Sequence, residues 1–284
     1  MERYKMNLVL GFWSMRLLLI FVLLCFLSLG YSAQGHQSKK IIALSIPKAG
    51  TTLLRKTIVL ITEKPVTSLG GKRFDPHNHL KNKLIAESHH LQNKFNPVLG
   101  KHLRNKYIKI VLVRDPRDIL VSWNRWISKG KDPHKKKEVW GHYSRKKRLS
   151  LLINSNFVLT EVKNAVNWAK DPSVLVVHFE ELVGPKGGGN FTVQVLTVEK
   201  IAKHLGYRIS RQRAMNISKK LFGGTSTFTG GEIHKWKHCF DKDLLEEFDA
   251  VYGKYFKLLG YDYEMDYLEK VKLEKSKVTR EKRM

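Results

Sequence analysis

One short segment of the chain has the residue types needed to hold a phosphate group where a strand turns into a helix. An apolar run at 41–44 precedes it, and a helical pattern follows from Thr51 to Ile61. The first amide groups of a helix lack intrahelical acceptors, and the helix dipole favours an anion beside them. Glycine allows close approach of the backbone, lysine adds positive charge, and threonine adds hydroxyl donors. The loop residues would be Pro47, Lys48, Ala49, Gly50, Thr51 and Thr52.

A second segment places a cation and a hydroxyl group after another buried strand. Residues 107–113 are apolar and rich in β-branched side chains, which predicts a strand. Arg114 follows at its carboxyl end, and Ser122 lies about two helical turns further on. An arginine fork and a serine hydroxyl can hold a second phosphate at the same edge of the sheet. A salt bridge from Arg114 to Asp118 is the alternative interpretation.

Together the two segments resemble the signature motifs of the sulfotransferases that use 3′-phosphoadenosine 5′-phosphosulfate (PAPS). Residues 47–52 are similar to that family's 5′-phosphosulfate loop. Residues 114–122 are similar to its 3′-phosphate motif, with the spacing from arginine to serine kept. The resemblance extends from about Ile41 to Asp262, and it implies PAPS as the co-substrate and no metal.

The resemblance also implies a role for each matching residue. Lys48 would contact the oxygen that bridges phosphate and sulfate, and would stabilise the charge that develops there. Residues 50–52 would hold the 5′-phosphate, and Arg114 and Ser122 would hold the 3′-phosphate. The sulfuryl group would pass in line to an acceptor hydroxyl or amine, which requires positioning and charge stabilisation.

A general base is needed to take the proton of the acceptor, and His102 is the candidate. It follows a short apolar run at 97–99, and the resembled family often carries its catalytic histidine in such a His-Leu pair. A histidine has a suitable pKa for this work near neutral pH. The competing histidines are His77, His79, His89 and His90.

Several positions depart from the family pattern. Leu53 stands where cytosolic members often have a tryptophan that stacks on adenine, and Phe179 replaces the tyrosine of a Tyr-Glu pair. Phe179 can pack on the base but cannot donate a hydrogen bond. In the segment that closes the cofactor site, Gly231 and Trp236 match, whereas the family's arginine and lysine do not. The residues that could compensate are His234, Lys235 and Lys237.

The composition favours anionic partners. Lysine and arginine give a formal net charge of +27, and a surface this basic attracts polyanions. The densest basic stretch, 129–148, contains Trp140 and Tyr143, so it could hold an acidic sugar chain. An ordinary solvated helix face is the alternative. We expect a glycan or small-molecule acceptor, and a nucleic acid is not the expected partner.

The N-terminal residues have the layout of a secretory leader. A fourteen-residue apolar run at 17–30 follows Arg16, and small residues cluster at its end. The longer apolar stretch from Asn7 also fits an uncleaved signal-anchor. We therefore expect a signal peptide or signal-anchor at 1–33. The protein would then be secreted or membrane-anchored in the lumen of the secretory pathway, or periplasmic in a bacterium.

The rest of the chain suits one α/β domain at 34–265, followed by a charged tail at 266–284. The alternation of strand and helix patterns predicts a central parallel sheet flanked by helices, similar to the P-loop NTPase fold. No Cys/His spacing suits zinc, and Cys239 has no partner for a disulfide outside the leader. Further helices are predicted at 158–169, 198–204, 210–221 and 243–259, with a strand at 174–177 and a surface loop at 183–190.

The resemblance predicts a PAPS-dependent sulfotransferase, and the basic surface and the leader make a carbohydrate the expected acceptor. Two alternatives stay open. A phosphoryl-transfer enzyme of the P-loop kind is disfavoured because no Gly-Lys-Ser/Thr closes the loop. A noncatalytic polyanion-binding protein on the same fold is kept open by the departures described above.

Overall fold

The computed structural model describes residues 40–68, 85–88, 107–131, 137–224 and 230–262. In this part of the chain, a five-stranded sheet has the order β2-β3-β1-β4-β5, and every pair of neighbouring strands is parallel. This confirms the predicted α/β fold with a parallel sheet. The strands are β1 Lys40–Ser45, β2 Thr67–Ser68, β3 Ile85–Ser88, β4 Tyr107–Val113 and β5 Val174–His178.

Helices cover both faces of the sheet, and most of them begin close to the predicted residues. The helix predicted to begin at 198 is longer, because Asn190 caps it by accepting from the Val193 amide at 3.0 Å. The described helices are α1 Thr51–Thr62, α2 Pro116–Ser128, α3 Lys137–Gly141, α4 Arg145–Ile153, α5 Asn156–Ala169, α6 Phe179–Leu182, α7 Phe191–His204, α8 Arg211–Leu221 and α9 Lys242–Leu258. Two 3₁₀ turns span Pro185–Gly187 and Lys235–His238.

The two central strands bury side chains on both faces, as their continuous apolar sequences predict. Ile42 of β1 and Val111 of β4 face one core, which α2, α4, α5 and α9 complete. Ile41 of β1 and Ile110 of β4 face the other core, which α1, α7 and α8 complete. This layering fixes the sheet between two helical layers, so the loops at its carboxyl edge start from rigid positions.

The last described helix packs as its apolar spacing predicts. Leu244, Phe248 and Tyr252 of α9 are buried in the first core. The Phe248 and Tyr252 rings stack with centroids 4.9 Å apart. The predicted surface loop at 183–190 differs from expectation, because it contains a 3₁₀ turn and buries both Val183 and Gly187.

A buried ion pair links the sheet to the segment between α5 and β5. Lys109 of β4 donates to Asp171 at 2.9 Å, and both side chains lie in the interior. Burial alone would raise the pKa of Asp171, but the hydrogen bonds from Lys109 and Ser173 outweigh it and lower the pKa to about 2. Asp171 is therefore ionised at neutral pH and neutralises the buried ammonium.

All described residues fall within one compact unit that begins at residue 40. The predicted leader at 1–33 and the predicted tail at 266–284 lie outside the described residues. Within the described part of the chain, we find no helix that is both long and apolar enough to cross a membrane.

Replacing Asp171 by asparagine should lower the free energy of unfolding by about 3–5 kcal/mol, because Lys109 would stay buried without its counter-ion. Urea unfolding at pH 7 measures the loss. The double variant Lys109→Met/Asp171→Leu, which removes both charges, should lose less. Asp243→Asn is the control, because it changes an exposed ion pair with Lys146 and should have almost no effect. An Asp171→Asn loss no larger than that of the control would contradict the assignment.

Candidate functional site

The two predicted phosphate-binding segments meet at the carboxyl edge of the sheet. β1 and β4 are hydrogen-bonded neighbours, with Ser45 opposite Leu112. Parallel neighbours end at the same edge, so the loop after β1 lies beside Arg114 after β4. The Arg114 guanidinium donates from Nη1 to the Lys48 carbonyl at 3.3 Å. The structure therefore brings together the residues that the sequence separates by more than sixty positions.

The loop after β1 has the backbone shape of an anion cradle. Gly50 is the N-cap of α1, with φ at 104°, and Lys48 also lies in the left-handed region, with φ at 69°. A methyl group on Gly50 would lie 2.6 Å from Cδ2 of Phe179, so only glycine fits there. Gly50 has no side chain with which to cap the helix, and the first amide groups of α1 suit an external acceptor.

The side chains of the loop do not all face outward. Pro47 and Ala49 are buried, so they can offer only backbone groups to a ligand. The hydroxyl groups of Ser45 and Thr51 form a hydrogen bond of 2.5 Å, in which either can donate. Thr51 and Thr52 are half-buried at the first turn of α1. The hydrogen bond from Ser45 at the end of β1 thus ties the start of α1 to the strand that precedes the loop.

Arg114 connects three separate segments of the site. Its Nη2 donates to the Glu232 carbonyl at 2.7 Å, and its guanidinium lies 4.4 Å from the centroid of the Phe179 ring. It also pairs with Asp118 at 3.6 Å, so the alternative interpretation of Arg114 describes a real contact. Its Nε is buried and has no hydrogen-bond partner among the described residues. The ion pair with Asp118 therefore leaves the Nε–H donor of Arg114 without an acceptor among the described residues.

The segment 230–236 is held over Arg114 by backbone hydrogen bonds. The Asp118 carboxylate accepts from the amides of His234 at 2.8 Å and Trp236 at 3.0 Å. Burial raises the pKa of Asp118, while the Arg114 guanidinium and the two amides act against that rise. The Ile233 amide donates to the Gly187 carbonyl at 3.0 Å. Gly231, with φ at 53°, lies in this same segment.

Two cations lie around Gly230, and the compensating role predicted for Lys235 and its neighbours stays a prediction. Lys235 forms an ion pair with Glu232 at 3.0 Å. A methyl group on Gly230 would lie 3.5 Å from Nζ of Lys235 and 3.6 Å from Nη1 of Arg125. Arg125 was not predicted, although its position three residues after Ser122 places it near the same face of α2. His234 takes part through its backbone amide, and Lys237 lies 5.9 Å from the Trp236 ring centroid.

Lys48 has an unusual environment. Its ammonium lies 3.9 Å from the centroid of the Trp126 ring. Burial, with the charges of Arg114 and Lys131, lowers its pKa to about 8. Ser122, which is half-buried, precedes Trp126 by one helical turn on α2. Trp126 was not predicted, and its spacing of four residues from Ser122 is the signal that could have found it.

Phe179 lies in the site as a buried support. Its side chain is 3% exposed and packs against Gly50 on one side and Arg114 on the other. A contact with an adenine ring stays a prediction. His102 and the four competing histidines at 77, 79, 89 and 90 lie outside the described residues, so the identity of the base also stays a prediction.

The basic stretch at 129–148 is built differently from the predicted aromatic loop. Trp140 is buried, and its Nε1 donates to Asn124 at 3.0 Å, so this ring is part of the core and is not a surface for sugars. Lys146 is held by Asp241 and Asp243. Tyr143 is exposed, as are Arg145 and Lys147. In the described part of this stretch, a contact of the exposed residues 143–147 with an acidic sugar chain stays a prediction.

A buried acidic cluster lies under the start of α2. Asp115 caps this helix and forms a bidentate ion pair with Arg117, whose guanidinium lies 3.6 Å from the Trp236 ring centroid. Glu180 accepts from the Asp115 amide at 3.0 Å and from the Tyr261 hydroxyl at 3.0 Å. Burial, together with the Asp115 carboxylate, raises the pKa of Glu180 to about 8. Glu180 is therefore largely neutral at pH 7.

No group of three or more histidine, cysteine or acidic side chains with the placement of a metal site occurs among the described residues. The site is instead rich in cations and in backbone amides. Such an arrangement can bind phosphate or sulfate groups and stabilise negative charge that develops on them.

Comparison with known proteins agrees with this chemistry. The model of the sulfotransferase domain family matches residues 38–260. No individually curated protein sequence matches the chain significantly. Mouse sulfotransferase SULT7A1 complexed with PAP has a similar structure, with a TM-score of 0.59, 20% identity, and coverage of 77% of this chain and 84% of that chain. Retinol dehydratase in a complex with retinol and PAP is also similar, with a TM-score of 0.52, 13% identity, and coverage of 80% and 83%.

At these identities the two structures establish the fold, whereas the family match spans most of the chain. The chain therefore belongs to the sulfotransferase family. The family and enzyme class predicted from the sequence, that of the PAPS-dependent sulfotransferases, are confirmed.

Replacing Glu180 by glutamine should make stability less dependent on pH. The folded pKa of Glu180 is raised from its ordinary value of 4.5 to about 8, so the unfolded chain binds fewer protons between these values. Native stability then falls as the pH rises, by about 1.4 kcal/mol per pH unit for this group. Glutamine cannot ionise. Its carbonyl can accept from the Asp115 amide, and its NH2 group can donate to the Tyr261 hydroxyl, which reverses the direction of that hydrogen bond.

Urea unfolding at pH 5.5 and 7.5 measures this effect. The free energy of unfolding of Glu180→Gln minus that of the native chain should increase by about 2–3 kcal/mol from pH 5.5 to pH 7.5. Glu181→Gln, at the half-buried neighbouring position, is the matched control and should show a smaller change. Parallel pH profiles for the native chain and Glu180→Gln would contradict a neutral buried Glu180.

Proposed function

We propose that this protein transfers a sulfuryl group from PAPS to a hydroxyl or amine of a carbohydrate acceptor. One observation carries the proposal: the Lys48 loop and Arg114 meet at the carboxyl edge of β1 and β4. A nucleotide with a phosphosulfate at one end and a 3′-phosphate on its ribose needs two such cationic positions side by side.

The residues of the site fit this co-substrate. Gly50 leaves the start of α1 without a side-chain cap, which suits the 5′-phosphosulfate. The Arg114 guanidinium, whose Nη atoms contact the Lys48 and Glu232 carbonyls, supplies the fixed positive charge that suits the 3′-phosphate. We assign Ser122, which lies on α2, to the same phosphate. PAPS would supply the activated sulfuryl group.

The chain's own residues would then handle charge and protons. The sulfur forms a bond to the acceptor oxygen or nitrogen as its bond to the bridging oxygen breaks. The protonated Lys48 stabilises the negative charge that is left on the phosphate. We assign His102 as the base that removes the acceptor's proton. Arg114, by donating to the Lys48 carbonyl, keeps the loop and the 3′-phosphate position in register.

A carbohydrate acceptor is supported by the basic surface and by the predicted secretory leader. The net charge of +27 attracts acidic sugar chains, and the exposed residues Arg145 and Lys147 carry part of that charge. We therefore also propose a location in the lumen of the secretory pathway, where glycans are exposed. Digestion of the domain by protease added to sealed microsomes would argue against that location.

Adenosine 3′,5′-bisphosphate should bind the protein with micromolar or tighter affinity, and Arg114→Ala should weaken binding about 100-fold or more, because charged hydrogen bonds to phosphate are lost. Lys48→Met should keep most of this binding yet lower sulfuryl transfer by about 100-fold or more. Isothermal titration calorimetry and transfer from radiolabelled PAPS measure the two effects. Circular dichroism checks that each variant is folded.

Arg211→Ala is the matched control, because Arg211 pairs with Glu199 on the exposed surface; it should leave both quantities unchanged. Tighter binding of ATP with magnesium than of the bisphosphate would favour a phosphoryl-transfer enzyme. Selective binding without transfer to any acceptor would favour the noncatalytic alternative.

A carboxylated polysaccharide should be a better acceptor than its carboxyl-reduced form or a simple phenol. Arg145→Ala/Lys147→Ala should raise KM for the charged polysaccharide several-fold, with an effect that fades at high salt because screening weakens exposed charges. Transfer rates at 50 and 300 mM salt, measured with each acceptor, check this. Equal KM values for the charged and reduced polysaccharides would contradict an acidic glycan acceptor.

A further inference from the structure

The Trp126 ring is placed to act on Lys48. Its centroid lies 3.9 Å from the Lys48 ammonium and 5.4 Å from that of Lys131. The ring comes from α2, one turn after Ser122, and the same face of a helix carries residues four apart. The lysine of the phosphate loop and the helix of the second motif are thus joined by a contact that neither motif contains.

Among the described residues, Arg114 and Lys131 are the charged groups that disfavour the protonated form of Lys48. Arg114 approaches from the end of β4, and Lys131 approaches from the segment after α2. Burial acts in the same direction and is the largest cause, so together they lower the pKa of Lys48 to about 8. The carboxylates on the neighbouring elements have other partners, since Asp118 pairs with Arg114 and Glu232 pairs with Lys235.

An aromatic face attracts a cation because the ring's quadrupole puts negative charge there. The Trp126 ring therefore opposes the three influences that remove the proton from Lys48. It also restricts where the ammonium can lie, because movement away from the ring face loses this attraction.

We propose that Trp126 is a positioning residue for the sulfuryl-transfer reaction, whose ring holds the Lys48 ammonium beside the phosphate loop and favours its charged form. The inference rests on the proposed function, because a charged Lys48 matters only where negative charge develops on a leaving phosphate. Trp126 itself would not need to touch the reacting atoms.

The test measures the titration of Lys48 directly, without the co-substrate. The full chain is reductively methylated with ¹³C-formaldehyde, which keeps lysines cationic, and the methyl resonances are followed against pH by NMR. The resonance that disappears in Lys48→Arg belongs to Lys48. In Trp126→Leu its midpoint should fall by about half to one pH unit, and in Trp126→Phe by less, because phenylalanine keeps a weaker π face.

Two further variants make the assignment specific. Trp123→Leu changes a tryptophan on the same helix whose ring packs on Phe157 at 5.1 Å, so the Lys48 midpoint should stay unchanged. Lys131→Met removes a neighbouring cation, so the midpoint should rise. An unchanged midpoint in both Trp126→Leu and Trp126→Phe would overturn the inference, as would an equal fall in Trp123→Leu.

Turnover separates this inference from the proposed function. If the enzyme transfers the sulfuryl group, the alkaline limb of kcat/KM against pH should move down in Trp126→Leu by the same interval as the NMR midpoint, and Lys48→Arg should abolish that limb. A shifted midpoint in a protein that binds no bisphosphate would refute the proposed function while leaving the contact between Trp126 and Lys48 established. A shifted midpoint with an unmoved alkaline limb would refute the role of Trp126 in the reaction.

Discussion

The contacts of Arg114 hold the candidate site together. One guanidinium group reaches the carbonyl of Lys48 in the first loop and the carbonyl of Glu232 in the closing segment, and it pairs with Asp118 on α2. A guanidinium stays charged at every accessible pH and offers five donors in a fixed plane. Burying it is costly unless it is paired. The three segments therefore supply the two carbonyls and the carboxylate that offset the burial of Arg114.

The acidic residues of the second motif have structural roles that follow from this constraint. Asp118 neutralises part of the Arg114 charge and fixes the closing segment through two backbone amides. Asp115 caps α2 and pairs with Arg117. Glu180 completes the cluster in its neutral form, because burial raises its pKa and the nearby Asp115 carboxylate acts in the same direction. The carboxylates thus position the cations and leave anion binding to the cations themselves.

The cations left at the surface of the site explain why it suits a doubly phosphorylated ligand. Four cations surround this site. Lys48 and Lys131 lie at the Trp126 ring, and Arg125 and Lys235 lie at Gly230. Burial lowers the pKa of Lys48, and repulsion by Arg114 and Lys131 acts in the same direction. An incoming polyanion relieves that repulsion. The same excess of positive charge favours anionic ligands over neutral ones.

The sequence by itself determined the two phosphate motifs and the strands that carry them. Both motifs are local patterns, because strand and cap propensities act over a few residues. In the first, Gly50 follows a buried parallel strand, and in the second, Arg114 and a helix-capping aspartate follow one. The spacing from Arg114 to Ser122 is likewise local, since helix periodicity fixes it. For the same reason the parallel sheet and the apolar stripe of α9 were predictable, whereas the early start of α7 depended on recognising Asn190 as a cap.

Only the tertiary structure decided which distant residues complete the site. The buried Trp140, the support that Phe179 gives to Gly50, and the contact of Trp126 with Lys48 all join segments far apart in sequence. Such contacts depend on how α2, β5 and the loop after β1 pack across the sheet, and hydrophobic patterns do not specify those distances. Burial and neighbouring charges also set the protonation of Lys48 and Glu180. The sequence therefore determined which groups could bind phosphate, and packing determined how they are held and which of them are charged.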